Sequence, residues 1–452
     1  MLDLGLTAFL GCFLLLGFKR PFLWVLCYLY VDIVAPQVIS WGMLAKIPVS
    51  LIAFAAAFLG WLVFDDKRDS RFTFRQGLLV LLLAYCAATT FTAVYPTEAA
   101  YKWAWVWKAL VFAIFLPLTL RTRLRIEALS LVMVLCASSI IITGGIKTML
   151  SGGGYGVLNL MVDNNSGLYE GSIISTVAIC IIPLILFLSK HGTIFPSDWR
   201  VKLFAWSLCF ACLLIPIGTE ARTGLVCAAF LVLLFLRHAK RRFLYAGLLG
   251  IAGLMAIPFL PSSFTNRMDT IQNYQADQSA STRIAVWKWT WDYVQDHPLG
   301  GGFEAYRQNS LRYDAKKIDG DGPVQEVQRQ VVTDEGRAYH SSYFEMLGEQ
   351  GFPGLFVWLV LNFGCVLRME ILRRHYEKRT EEEVQWVAPY ALAMQQGHLV
   401  YLVGSLFVGI AFQPFVFMLI ALQIGVDSYL RRREKEAAWR PIRTRARSYA
   451  AG

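Results

Sequence analysis

Apolar runs long enough to cross a lipid bilayer recur about thirteen times along this chain of 452 residues, and no other feature limits the fold so strongly. A hydrocarbon core about 30 Å thick takes roughly 20 apolar residues per helix. The runs fall near residues 3–18, 21–39, 47–64, 77–95, 103–120, 127–145, 170–189, 203–218, 222–236, 243–260, 352–367, 386–408 and 412–430. Lipid offers no water to unpaired amides and carbonyls, so each run is expected to be a helix. An apolar share of 56% against 17% charge agrees with that class. The expected fold is an all-α integral membrane protein with about 12–13 transmembrane helices.

Basic residues set the expected orientation. Clusters at Lys19 and Arg20, "DDKRDSRFTFR", "RTRLR", Lys190 to Lys202, "RHAKRR", "RMEILRRHYEKR" and "RRREKEAAWRPIRTRARS" fall at every second junction and hold 29 of the 43 Lys and Arg residues. The positive-inside rule puts them in the cytoplasm. The opposite junctions include one long stretch, 261–351, with 9 basic and 13 acidic residues. The net charge of +11 therefore belongs to the cytoplasmic edge, where anionic lipid attracts it, and nucleic acid is not an expected partner. Four regions follow: amino-terminal helices over 1–260, a large periplasmic loop over 261–351, carboxy-terminal helices over 352–430 and a basic cytoplasmic tail over 431–452. The first run has Asp3 before it and Lys19 and Arg20 after it, the reverse of a secretory signal, so it is expected to be a retained span. All nine cysteines lie in apolar runs, which implies neither a disulfide framework nor a zinc site. Cys209 and Cys212, though spaced as CxxC, read as small buried apolar residues.

A connection of about 90 residues is expected to carry structure of its own. "STRIAVWKWTWDYVQDHP" places Ile284, Trp287, Trp291 and Val294 at helical spacing, with Ser281 or Thr282 as N-cap and Pro298 as the stop. Its tryptophans suggest a helix lying in the outer interface. The polar segment Asp314 to Asp334 shows no clear period, and "DGD" at Asp319 and Asp321 reads as a turn. Three groups are candidates for chemistry. Arg222 heads a span after a short outer turn; it lines a wet cavity, pairs with Glu220, or snorkels to headgroups. Arg283 would open the loop helix with a guanidinium fork suited to phosphate. His340 precedes a span and titrates near neutrality, with Glu345 and Glu349 near enough in sequence to assist it.

"HSSYFEMLGEQGFPG" fits H-[S/N/Q]-x9-G-x2-G through His340, Ser341, Gly351 and Gly354, which resembles the signature of the bacterial O-antigen ligase and polymerase family. The block "STRIAVWKWTWDYVQDHPLGGGFEAY", with Gly301 and Gly302, and "GTEARTGL", with Thr219, Arg222 and Leu225, are similar to further motifs of that family. Glu220 and Ala221 stand where a serine often precedes the arginine. The likeness covers roughly residues 150 to 430. The stretch "LGFKRPFLWVLCYLYVDIVAPQVISWG" is similar to the start of O-glycosylation ligases associated with exosortase systems. The resemblance implies a GT-C-type glycosyltransferase of the inner membrane that takes a glycan from undecaprenyl diphosphate on the periplasmic face, without cofactor or metal. It implies catalytic roles for His340, Arg283 and Arg222, and substrate contacts at Arg222, Arg283, Ser341, Gly301, Gly302, Gly351 and Gly354. The acceptor would be a lipid A core, a protein hydroxyl or another glycan, the last making the enzyme a polymerase. A transporter of lipid-linked glycan fits less well, because no paired inverted repeat is visible.

Overall fold

The computed structural model describes residues 2–67, 70–151, 168–256, 278–319 and 326–438. Among them are fifteen α-helices: α1 (Leu2–Gly17), α2 (Phe22–Val34), α3 (Pro36–Ile39), α4 (Val49–Phe64), α5 (Phe74–Phe91), α6 (Pro96–Thr119), α7 (Arg123–Ser151), α8 (Gly171–His191), α9 (Trp199–Gly218), α10 (Arg222–His238), α11 (Arg242–Ala256), α12 (Gln278–Asp296), α13 (Ser342–Tyr376), α14 (Val387–Gly404) and α15 (Pro414–Ala438). Every predicted apolar run overlaps at least one of them, the run at 243–260 as far as Ala256, beyond which it lies outside the described residues. Seven of the described helices, α5 to α9, α13 and α15, are individually long and apolar enough to cross a membrane, and α1, α2 and α4 are shorter apolar helices. The chain is an all-α, multi-pass membrane protein. The run at 21–39 is broken rather than continuous: Ala35 turns left-handed at φ 49° and Pro36 starts the next helix.

Helices α8, α14 and α15 form the buried centre, with α6, α7 and α13 around them. At one end of the bundle, arginines hold helix termini together. Asp427 of α15 accepts from Arg75, Arg368 and Arg431, and Arg125 forks onto Asp65 at 2.6 and 2.9 Å. The tail arginines beyond Ala438 lie outside the described residues. All nine cysteines are free, including Cys209 and Cys212.

Two expectations for the loop are corrected. The segment read as aperiodic contains an antiparallel hairpin, β1 (Ser310–Asp319) and β2 (Glu326–Glu335), with Ser310 opposite Glu335 and Asp319 opposite Glu326. Asp321, and with it the predicted turn, lies outside the described residues. Helix α12 starts at Gln278, so Ser281 and Thr282 are inside it rather than capping it. Its buried stripe is Val286, Thr290 and Val294, spaced by one turn, while Ile284 and Trp291 are exposed. Of the predicted face, Val294 and Trp287 turn to the protein, Trp287 packing on Phe344, so that face is divided between the protein and the surface.

The glycines of the two motif blocks meet at one backbone crossing. Helix α13 kinks at Gly351 (φ 61°, ψ −167°), and Pro353 has no amide to give to Glu349. The Phe352 amide turns to Pro298 O at 3.0 Å, which also frees Gly348 O. Gly301 and Gly302 amides fill both vacated carbonyls at 3.0 and 2.9 Å, so neither carbonyl is left orphaned. A Cβ on Gly351 would stand 2.2 Å from Pro298 O, and one on Gly302 2.5 Å from Ala93 Cβ. Gly354 lies against Gln350. Gly351→Ala is therefore expected to destabilise the protein by about 2–4 kcal/mol, from left-handed strain plus overpacking. Gly364→Ala on the same helix meets nothing within 4 Å and is the matched control. Thermal unfolding in detergent checks this: equal midpoints for the two variants would show the crossing to be unimportant.

Candidate active site

A cavity of about 710 Å³ opens at the end of the bundle opposite the arginine cluster, between α6, the start of α8, α12, the loop and the 407–413 turn. His340 and Arg283 both line it. His340 sits at φ 48°, a left-handed conformation rare for a residue with a side chain. The neighbours on both sides hold it there. Tyr339 O accepts from Trp287 Nε1 at 2.8 Å, and Trp287 stacks on Phe344 with ring centroids 5.0 Å apart. Ser342 N donates to Ser405 O at 2.8 Å, and its hydroxyl donates to Val408 O and accepts from Ile410 N. The imidazole is thus aimed by an anchored backbone on either side. Loss of hydration, then the guanidinium groups of Arg283 and Arg337, push its pKa below the ordinary histidine value. At neutral pH the ring is uncharged and able to take a proton.

The floor holds a charge cluster that sequence reasoning did not assemble. Lys102 of α6 lies 2.7 Å from Glu345 Oε1 and 2.8 and 2.9 Å from the two oxygens of Glu349, both on α13. Glu345 Oε2 also accepts from Ala411 N at 3.1 Å, and Glu349 Oε1 from Glu304 N at 3.0 Å. Phe303 and Phe412 face the ammonium at 5.5 Å each. The sequence left open whether these carboxylates assist His340; in the structure both are tied to a lysine. The available signal was Lys102 inside "AAYKWAWVW", an ammonium in an apolar run that needs an acid partner. Above the floor, Glu304 accepts from Tyr306 Oη at 2.8 Å and Arg307 Nε at 3.2 Å.

Other predicted contacts lie off the cavity wall. Ser341 is buried at the start of α13. Gly302 and Gly351 let backbones meet at the crossing described above, whereas Gly301 makes room for the side chains of Tyr293 and Ala305 and Gly354 for those of Gln350 and Tyr85. Arg222 heads α10 but does not line the cavity. The tight turn before it, with Glu220 at φ 52°, carries Thr219, whose hydroxyl meets that of Ser175 at 2.8 Å, about one turn from Ser172 on the cavity wall.

Residues 207–359 match the family described as O-Antigen ligase. The chain carries an O-antigen ligase family domain. Residues 1–193 match a family of unknown function, DUF5935. No curated protein matches the chain. The likeness to a glycan-handling ligase family thus covers residues 207–359, and the helices make the chain a multi-pass membrane protein. The domain supplies Arg283, Glu304, Arg307, His340, Glu345 and Glu349, whereas Lys102 and the rest of α6 come from the amino-terminal region.

Proposed function

We propose that the protein is a metal-independent, inverting glycosyltransferase that moves a glycan from undecaprenyl diphosphate to an acceptor hydroxyl, in the bacterial inner membrane with its cavity facing the periplasm. The observation that carries this reading is that Arg283 and His340, far apart in sequence, line one cavity at the end of a membrane bundle. Arg283 holds the diphosphate through paired N–H donors. His340 takes the proton of the acceptor hydroxyl as its oxygen bonds to the anomeric carbon. The bond from that carbon to the diphosphate oxygen breaks with its electron pair, and the guanidinium stabilises the charge left there. Arg222 does not line this cavity, so no direct hold on the diphosphate is assigned to it.

The test is purified protein in lipid nanodiscs with an undecaprenyl-diphosphate glycan, candidate lipid A core and protein acceptors, and EDTA. Transfer of the intact chain is expected; ladders built from single repeats would make it a polymerase, and no transfer under any pairing would end the proposal. A pH profile adds a sharper sign. The acid limb of kcat/KM reports His340 in free enzyme and should lie below the ordinary histidine value, since only the neutral ring accepts a proton. Arg283→Gln removes a cation that disfavours the imidazolium, so His340 should protonate more readily and the limb move to higher pH. An unmoved limb would detach Arg283 from His340.

A further inference from the structure

We propose that α6 is the glycan-holding wall of this cavity, giving the amino-terminal region of unknown function a role: Glu98, Tyr101 and Trp105 receive the sugar rings next to the diphosphate. The inference rests on the transferase reading and goes beyond it.

The three residues stand at i, i+3 and i+7, one stripe of a helix, and all three line the cavity. Behind the stripe, Ala99, Lys102 and Val106 are buried. Three independent ties keep α6 and the helix before it in register with the ligase domain. Lys102 clamps Glu345 and Glu349, Trp103 stacks on Phe303 at 6.3 Å, and Val94 N donates to Gly301 O at 3.1 Å. The stripe is thus fixed with respect to His340.

Its chemistry differs from that of the Arg283 side. Trp105 and Tyr101 offer aromatic faces for the C–H faces of a pyranose, and a carboxylate accepts two hydroxyl hydrogen bonds. Glu98, Glu170 and Glu304 stand against the single guanidinium of Arg307, which feels both Glu304 and Glu98. An acid-rich wall repels phosphate, so the diphosphate is confined to the side of Arg283 and His340. The same wall disfavours sugars that carry carboxylates. A neutral glycan is the class that fits.

Two probes separate the parts: undecaprenyl diphosphate with no sugar, and the same lipid carrying one N-acetylglucosamine. The full chain in nanodiscs should bind the sugar-bearing lipid about tenfold more tightly than the bare one. In Glu98→Gln and Trp105→Ala that preference should shrink to within about threefold while the bare lipid binds as before, an outcome that a merely structural role would not give. Arg283→Gln should weaken both lipids together. Equal binding of the two lipids by the unaltered protein, or loss of both in the α6 variants, overturns the inference and leaves the transferase reading standing. Binding of neither lipid by the unaltered protein removes both.

Discussion

Replacing His340 by asparagine is expected to lower glycan transfer by about 10²- to 10⁴-fold, the usual contribution of a general base, with no loss of fold. Asparagine is a better choice than alanine for a physical reason. His340 is left-handed at φ 48°, a region where asparagine is tolerated and alanine adds strain of about 1–2 kcal/mol. His340→Ala would thus mix a chemical loss with a local backbone change beside Ser342 and Tyr339. His340→Asn keeps the turn and removes only the titrating ring. Retained thermal midpoint with vanished turnover is the expected pair of readings, in the same nanodisc assay. Turnover within about threefold of the unaltered enzyme would remove the imidazole from the proton path.

The second large effect is structural. Lys102→Met leaves Glu345 and Glu349 facing each other on α13 without the ammonium that lies 2.7 to 2.9 Å from them. Breaking a buried ion pair from one side costs about 3–5 kcal/mol, because the remaining charge keeps its desolvation penalty. The cluster is buried on both helices, so solvent screening gives little relief. Adding Glu349→Gln to Lys102→Met should recover a good part of the loss. Glu345 is the better placed of the two acids to stand alone, since it is the less deeply buried and keeps the Ala411 amide. Unfolding midpoints of the single and double variants measure this as a coupling. Strict additivity would show that Lys102 and Glu349 are neighbours without energetic linkage.

Much of the bundle was legible because a membrane helix writes its signal locally. An apolar run of sufficient length needs no distant partner to be recognised, and each of the thirteen runs became a helix. The breaks were less visible: Ala35 and Pro36 split one run, and Gly351 joined a helical turn from the loop to the following span. The hairpin was missed because a ladder is a non-local pairing; the chain around Lys316 and Gln328 carries too little alternation to announce a strand. For the site, His340 and Arg283 were found by residue chemistry. The glycines were read as ligand contacts because sequence shows where a side chain is missing, not which backbone enters the space. Lys102 escaped because its partners lie more than 240 residues away, a closeness that only folding creates.

The Lys102 bridge also bears on how such chains are inherited. A gene segment encoding residues 207–359, moved alone into another membrane scaffold, would bring its histidine and arginine but leave two acids at the base without a counter-ion. Such a transplant is expected to fold well only where the recipient offers a cation at the matching depth.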